Sequence, residues 1–398
     1  MLPMTAAAGD EASLAGAWQL PEGLVLLRDT IRRFMREEVR PVEERQPHDA
    51  FKLPDVDLAR LQSRAREMGM WCFASPAEHG GGGLDLLAQV VVAEEAAKCR
   101  MGAYVPACGA FGIDPPSVIW LGTPDQIARY GVPAIERGQK CFVAISEASG
   151  GSDPARSIRT RATSHGDRYV INGTKMWITA AAEAEWGIVF ARTGEAGDRG
   201  GITAFIVDRT MKGLTTKEIP VIRSYSPFEV HMEDVEVPVE NRLGEEGKGF
   251  EICQRWLVHA RVPYAAAVIG IAQEALAMAI DWVRQRESFR SLLADKQAIQ
   301  WMVADSEMEL RAARLLTYQA AWQAMLGHDI KVDASIAKVY ATEAAGRVID
   351  RCVQMFGAMG VAKELPIERW YRELRIKRVG EGPSEVQRMV LARHLLKG

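Results

Sequence analysis

A glutamate between two glycines, Glu381 between Gly380 and Gly382, stands just before the predicted final helix. Glycines let the backbone place the carboxylate deep in a cleft. An acidic residue at a helix N-terminus, which the helix dipole favours, is the plainer alternative. Taken alone, residues 379–388 (VGEGPSEVQR) do not decide a function.

Two segments in the middle of the chain could contact a ligand. Residues 146–153 (SEASGGSD) follow a predicted strand and combine small residues with hydroxyl groups, so a ligand could approach the backbone closely. Residues 175–179 (KMWIT) place the indole of Trp177 near the hydroxyl of Thr179, which suits the flank of a planar cofactor. An ordinary surface loop and a structural tryptophan are the alternatives, and the residue types leave them open.

A third candidate ligand segment combines arginine with glycines late in the chain. Arg286 precedes Phe289 by three residues, Gln297 follows, and residues 354–360 (QMFGAMG) expose backbone at their glycines. A guanidinium group and exposed backbone suit a pyrophosphate. An arginine on the solvated face of a helix is the plainer alternative.

Composition excludes several function classes. The 398 residues carry 49 Lys and Arg against 52 Asp and Glu, a net charge of -3. Because phosphate backbones normally need a basic surface, this balance argues against nucleic acid as a partner. The six cysteines form no CxxC pair, the seven histidines form no HExxH, and GxxxxGK[ST] and GxSxG motifs are absent. We therefore expect no metal site, disulfide framework, P-loop or esterase elbow.

The chain also lacks signals for a membrane or for export. No apolar run approaches the roughly 18–20 residues that cross a bilayer. The start, MLPMTAAAGDEASLAGAW, contains no Lys or Arg, unlike a signal or transit peptide. We expect a disordered tail over residues 1–19, no membrane span and a cytoplasmic location.

The elements that must position these residues fall into three predicted domains. Helical periodicity dominates residues 20–140, apolar runs and alternation indicate strands over 141–248, and helical patterns return over 249–398. Asn172-Gly173, between two strand-like runs, predicts a hairpin turn. Segregated rather than alternating helices and strands predict an α+β fold and argue against a doubly wound sheet.

In their order and spacing, these segments resemble the acyl-CoA dehydrogenase family of flavoenzymes. The resemblance runs from about residue 20 to the end and rests on SEASGGSD, INGTKMWIT, the RxxF with QAI, QMFGAMG and EGPSEVQR. It implies an N-terminal helical domain, a central β domain and a C-terminal four-helix bundle, with FAD between the last two.

The resemblance also assigns FAD contacts. Ser146, Ser152, Trp177 and Thr179 match positions along the flavin and the CoA arm. The adenine and diphosphate end matches residues of a neighbouring subunit, which implies a homodimer or a homotetramer: Arg286, Phe289, Gln297, Gln354, Gly357 and Gly360.

Catalysis is implied at Glu381, which matches the base that takes the α-proton of an acyl-CoA thioester while flavin N5 takes the β-hydride. Ala260 stands at the other position used for a base in the family, and it has no acid. Arg261 and Gly382 match supporting positions. An electron-transfer flavoprotein would accept the electrons. Tyr104, Phe111 and Tyr225 are expected to shape the acyl pocket, without indicating which acyl group fits.

Three departures from the family pattern concern FAD contact. Ala148 replaces a usual Pro, Arg290 replaces a usual Gly, and Pro383 replaces a Thr or Ser. The alternatives on the same fold are an acyl-CoA oxidase, an enoyl-CoA reductase and a flavin monooxygenase. A catalytically silent CoA-binding subunit is the alternative from another class.

Overall fold

A computed structural model of the chain describes residues 19–195 and 200–397. The tail predicted over residues 1–19 lies, except for Gln19, outside the described residues. The described chain forms two compact units. The first takes residues 19–64, 84–110 and 258–397, and the second takes residues 65–83, 111–195 and 200–257.

The helices lie on either side of the strands in sequence, which confirms the predicted helical, β, helical order. In chain order the α-helices are α1 Glu22–Phe34, α2 Arg40–Glu43, α3 Asp55–Glu67, α4 Leu86–Ala96, α5 Pro124–Gln126, α6 Val132–Arg137, α7 Pro154–Ser157, α8 Gly249–Val283, α9 Gln297–Met325, α10 Lys331–Phe356, α11 Ile367–Lys377 and α12 Ser384–Leu396.

Eight strands of the second unit form one sheet. They are β1 Cys141–Ala144, β2 Arg161–Ser164, β3 Arg168–Ile178, β4 Trp186–Arg192, β5 Ile202–Asp208, β6 Leu214–Glu218, β7 Phe228–Pro238 and β8 Arg242–Leu243. The order is β6-β7-β3-β2-β4-β5-β8, and β1 pairs in parallel with β4. Strand β4 is buried along its whole length, as its continuous apolar run predicts.

The predicted hairpin at Asn172-Gly173 is wrong. Strand β3 continues through both residues and pairs with β7, with a register shift between Ile171 and Gly173. The Asn172 amide instead bonds across to Asp234. Gly173 is needed for a different reason: a Cβ there would lie 2.7 Å from the Cα of Thr160. The dipeptide therefore marks a bulge where two backbones approach closely.

The first unit is a bundle of long helices. Helix α9 packs on α10, and α10 packs on α11 and α12, while α4 packs on α1 and α9. The buried faces of α8 and α10 are rich in alanine and β-branched residues, which lets neighbouring helices approach closely. Two further short strands, β9 Glu287–Ser288 and β10 Ser291–Leu292, form a hairpin between α8 and α9.

Helix α8 contains an 18-residue window long and apolar enough to cross a membrane, and 61% of that window is buried within the protein. The expectation that no apolar run approaches this length is wrong for this helix. Arg261, Gln273 and Glu274 interrupt its apolar residues, so no unbroken run stands out in the sequence. Burial of this kind is typical of a core helix.

Candidate active site

Glu381 lies in the turn between α11 and α12, and its backbone is left-handed, with φ +56°. Such a backbone costs a non-glycine residue about 1–2 kcal/mol, so the surroundings must hold it in place. Gly382 follows with φ +87°, and a Cβ there would lie 2.5 Å from Gln387 Nε2. The backbone angle therefore favours glycine after the glutamate, and a larger residue there would displace the Gln387 amide that bonds to the turn.

Three side chains from other elements hold this turn by its carbonyl oxygens. Arg261 Nε donates to the Glu381 carbonyl at 3.0 Å, and Gln387 Nε2 donates to the same oxygen at 3.3 Å. Lys338 Nζ donates to the Gly382 carbonyl at 2.8 Å and to the Arg378 carbonyl at 3.1 Å. These bonds fix the backbone from which the glutamate side chain projects.

Glu381 is half-buried, and its buried Oε2 atom accepts no hydrogen bond from the residues that the structure describes. Burial raises the pKa of this carboxyl above its ordinary value, while the charges of Arg261, Lys377 and Lys338 partly oppose the rise. A carboxylate oxygen that accepts no hydrogen bond within the described chain, on a group with a raised pKa, can take a proton from a neighbouring carbon acid.

Sequence reasoning predicted Arg261 beside the base but missed Lys338, which is completely buried on α10. Burial lowers the pKa of Lys338 to about 8, against the opposing charge of Glu381. A signal was present in the sequence. Lys338 falls between Ala334, Ala337 and Ala341, at helical spacing on an apolar face, where a charged residue needs buried partners.

In the second unit, a buried ion pair joins the segment 146–153 to strand β3. Lys175 Nζ donates to Glu147 Oε1 at 2.8 Å and to the Ile145 carbonyl at 3.1 Å. Glu147 also accepts hydrogen bonds from the backbone N–H groups of Arg159 and Thr160. This pair fixes the loop that carries Ser146 and Ser152 against the strand that leads to Trp177.

Trp177 presents its side chain to solvent, with 54% of its surface exposed and φ +67°. A register shift between Lys175 and Ile178 turns the backbone here, as bulges do when they redirect a side chain. Thr179 is also exposed, and its hydroxyl accepts a hydrogen bond from the buried Arg223 at 3.3 Å. The Met176 N–H donates to the Ser146 carbonyl at 2.8 Å, so the segments carrying Ser146 and Trp177 adjoin.

The segment predicted to contact a pyrophosphate forms the β9–β10 hairpin. Phe289 and Arg290 make its two-residue tip, both left-handed, and Phe289 is 94% exposed. Arg286 lies 5.9 Å over the Trp282 ring, and Gln297 is exposed at the start of α9. Gln354, in the last turn of α10, is exposed; in the segment after α10, Gly357 is exposed and Gly360 is buried.

The three residues predicted to shape an acyl pocket have different surroundings. In the first unit, the Tyr104 ring packs against Lys377, one of the charges acting on Glu381. In the second unit, Phe111 is buried edge-on against Phe73, and Tyr225 is buried 5.9 Å from the Arg223 guanidinium.

Within the part of the chain that the structure describes, one group of metal-ligating residue types comes together: the ligand atoms of Glu43, Cys99 and Cys108 lie within 4.8 Å of one another. Glu43 accepts hydrogen bonds from the Arg100 and Met101 N–H groups and from the Cys108 thiol. The nearby Cys99 thiol and burial raise the pKa of Cys108 well above its usual range, and a protonated thiol is a poor metal ligand. These residues therefore form a hydrogen-bonded core cluster.

Comparison with known proteins agrees with this architecture. The acyl-CoA dehydrogenase N-terminal, middle and C-terminal domain models match residues 21–138, 142–235 and 247–396. The mitochondrial short-chain specific acyl-CoA dehydrogenase of Bos taurus is 36% identical over 386 residues, which are 95% of this chain and 91% of that protein. The acyl-CoA dehydrogenase, short-chain specific, of Clostridium acetobutylicum is 33% identical over 92% of this chain and 96% of its own.

Among solved structures, butyryl-CoA dehydrogenase from Megasphaera elsdenii is 32% identical, with a TM-score of 0.83 over 95% of this chain and 99% of that chain. The match extends through all three family domains and includes the helical, β, helical order described above. The chain therefore belongs to the acyl-CoA dehydrogenase family, whose members are oxidoreductases.

Proposed function

We propose that this protein catalyses FAD-dependent α,β-dehydrogenation of an acyl-CoA thioester to the trans-2-enoyl-CoA, with Glu381 as the base. The observation that carries the proposal is the buried Glu381 Oε2 atom, which accepts no hydrogen bond and projects from a turn held by three side chains. The relatives named above, which act on short-chain acyl-CoA by name, support the substrate class.

The proton transfer places clear demands on the protein. The α-proton of a thioester is only weakly acidic, so its removal needs a fixed base and stabilisation of the charge that moves to the thioester oxygen. Glu381 Oε2 takes the proton, and the left-handed Glu381 backbone sets the direction of attack. The charges of Arg261, Lys377 and Lys338 favour the ionised carboxylate and oppose the burial that raises its pKa.

The residues present fit FAD. An exposed tryptophan next to an exposed hydroxyl, Trp177 and Thr179, offers an apolar face and a polar contact to a flat ring, and Ser146 and Ser152 lie in the adjoining loop. The protruding Phe289 tip suits the adenine end in a second subunit. Arg286, Gln297, Gln354, Gly357 and Gly360 would complete that end. Bound FAD would supply the acceptor for the β-hydride.

The proposed assembly is a homodimer or homotetramer that passes electrons to an electron-transfer flavoprotein in the cytoplasm. A solved structure described as the electron transferring flavoprotein of Acidaminococcus fermentans matches this chain with a TM-score of 0.84 at 32% identity. That match supports an electron-transfer flavoprotein as the acceptor.

The test is anaerobic flavin bleaching near 450 nm. We expect purified protein to be yellow and to bleach when a short acyl-CoA such as butyryl-CoA is added. Glu381→Gln should keep its FAD and lose at least 1,000-fold of the bleaching rate. Glu385→Gln, an exposed acid four residues further on, is the matched control and should bleach normally. Full activity in Glu381→Gln, or a colourless protein that stays inert with added FAD, would overturn the proposal.

The same assay separates the alternatives on this fold. Hydrogen peroxide produced in air with each turnover would identify an acyl-CoA oxidase. Reduction of an enoyl-CoA without net oxidation of the saturated thioester would identify a reductase.

A further inference from the structure

A cleft of about 380 Å³ lies between α10 and α11, within the first unit. Small-molecule sites in proteins have volumes of roughly 300–1,000 Å³, so the cleft can hold a small organic ligand. One of its lining residues is Arg378, the first residue after α11, whose backbone leads into the turn that carries Glu381. The Arg378 carbonyl accepts the hydrogen bond from Lys338 described above.

The two helices run antiparallel along the cleft. Residues 357–366 join the end of α10 to the start of α11, and away from this connection the Arg378 guanidinium lies 4.0 Å from the Glu343 carboxylate. Asp350 on α10 and Tyr371 on α11 are each two turns away from that contact, so both line the opposite end of the cleft. At 1.5 Å per residue, the two ends are about 10 Å apart.

At the Arg378 end, the Glu343 carboxylate is already neutralised. Arg388 donates to both of its oxygens, at 2.6 and 2.7 Å, and Glu385 adds a second acid that acts on Arg388. Arg378, at 4.0 Å, is outside hydrogen-bond distance of the Glu343 carboxylate. Its guanidinium therefore shares an acid that another arginine already holds.

In the middle of the cleft, Arg375 has no hydrogen bond or ion pair with any residue that the structure describes. Arg347, on the other wall, is held by Glu309, which also accepts a hydrogen bond from Arg351. Arg375 and Arg378 are three residues apart and lie on one helix face, where two guanidinium groups suit the oxygens of one phosphate group.

The end of the cleft at Asp350 and Tyr371 has different chemistry. Asp350 has no partner among the described residues, and 44% of Tyr371 is exposed. A carboxylate repels an anion and accepts hydrogen bonds from hydroxyl groups, as acidic residues do from ribose. An exposed aromatic ring offers a face to a planar ring. This end therefore suits an uncharged group with hydroxyls and a planar ring.

The charges of the whole cleft still favour an anion. With Asp350 included, four acids stand against five arginines on and around the cleft. The excess positive charge belongs to Arg375 and Arg378, at about one end of the cleft, and the carboxylate without a partner is at the other.

We propose that this cleft binds a nucleoside monophosphate, with its phosphate between Arg375 and Arg378, its sugar hydroxyls toward Asp350 and its base on the Tyr371 ring. A phosphate, a sugar and a base in sequence can span the distance between the two ends. The proposal goes beyond the proposed function and does not depend on it, because binding is measured without turnover.

The experiment is isothermal titration calorimetry of the FAD-loaded protein with CoA in excess, so that neither the cofactor site nor the thioester site is open to the probe. We expect AMP to bind saturably, one molecule per chain, adenosine not to bind, and inorganic phosphate to bind at least tenfold more weakly than AMP. Arg375→Met should weaken AMP binding about tenfold. Arg33→Met, which changes an exposed arginine of α1, is the matched control and should bind AMP as the wild type does.

A second variant tests the end that holds the base. Tyr371→Leu should weaken AMP binding several-fold and leave phosphate binding unchanged. Absence of saturable AMP binding by the wild type would overturn the proposal whatever the variants do. Equal affinity for AMP and adenosine, equal affinity for AMP and phosphate, or unchanged AMP affinity in Arg375→Met would each overturn it as well.

Discussion

Lys338 Nζ donates a 2.8 Å hydrogen bond to the carbonyl oxygen of Gly382, the residue directly after Glu381. The two residues are 44 positions apart in the sequence, and the lysine is completely buried. A side chain in the middle of α10 thus fixes the backbone beside the candidate base. The charge of Lys338 is costly to bury, and this cost gives the protein a measurable pH dependence.

Removing Lys338 should change how stability depends on pH. Burial lowers its pKa to about 8 in the folded protein, against about 10.5 when unfolded. Between these values the unfolded chain binds the proton that the folded protein has released, so this group makes stability rise with pH. Below pH 8 the unfavourable free energy of burying the protonated lysine is fully present. As the pH rises from about 8 to about 10.5, this unfavourable free energy falls by roughly 3 kcal/mol.

Urea unfolding from pH 7 to pH 10.5 measures this effect. The free energy of unfolding of the wild type, relative to that of Lys338→Met, should grow by about 2–3 kcal/mol across the range. Lys331→Met, which changes an exposed lysine of the same helix, should follow the wild type. A constant difference between wild type and Lys338→Met would contradict the lowered pKa.

Arg261→Gln should move the acid limb of the pH–activity profile to higher pH. Burial raises the pKa of Glu381, and Arg261 on α8 opposes the rise most, ahead of Lys377 on α11 and Lys338 on α10. Without the guanidinium charge, the pKa of Glu381 should rise further, and the base should ionise only at higher pH. The measurement is kcat/KM from pH 5 to 9, with FAD content as the control for folding. An unmoved acid limb would show that Arg261 has no electrostatic effect on the base.

Lys175 and Glu147 should stabilise the protein only when both are present, because either charge alone would be buried without its partner. Burial favours the neutral form of Glu147, but the charge and hydrogen bond of Lys175 outweigh it, and the pKa of Glu147 lies below its usual value. Lys175→Met leaves a buried charge behind and should cost about 3–5 kcal/mol in unfolding free energy. Adding Glu147→Gln should recover part of that loss, which a urea double-mutant cycle would measure.

The matched control for that cycle is an exposed pair. Lys248 and Glu251 lie 3.3 Å apart, with both side chains more than half exposed. Lys248→Met should cost less than about 1 kcal/mol. Additive effects of Lys175→Met and Glu147→Gln would exclude coupling between the two buried groups.

Arg290→Gly should stabilise the hairpin tip. Arg290 has φ +65° in a two-residue turn whose backbone favours glycine, so the substitution removes about 1 kcal/mol of strain. If Arg290 contacts a FAD phosphate, as we hypothesise, the same variant should bind FAD several-fold more weakly. Thermal unfolding of the apoprotein and FAD titration separate the two effects. Unchanged FAD affinity would refute the phosphate contact.

Much of the site was predictable because its chemistry depends on short segments. The order of the motifs predicted the family, the succession of helices and strands, and the candidate base. Arg261 was expected near the base, and its Nε does contact the Glu381 backbone. The roles assigned to the FAD residues and the boundaries of the three domains stay predictions.

The contacts that support the site were not predictable, because they depend on tertiary packing. Lys338 and Gln387 act on backbone oxygens, and no local motif shows which carbonyl a buried side chain will contact. In the sequence, Lys377 is one more charged residue at the end of an amphipathic helix. In the structure, it lies over the rings of two tyrosines from distant segments, Tyr104 and Tyr264. At Asn172-Gly173, pairing of β3 with β7 overrode a strong local turn preference.

The turn around Glu381 is held by hydrogen bonds to its backbone carbonyl oxygens, and every amino acid has such an oxygen. The identity of the side chains at Arg378 and Val379 is therefore of little importance to the hydrogen bonds that shape the turn. These two residues can therefore vary while Lys338, Arg261 and Gln387 preserve the geometry of the turn. Information that fixes one turn is thus stored in three other helices, and within the turn the sequence is constrained mainly at Glu381 and Gly382.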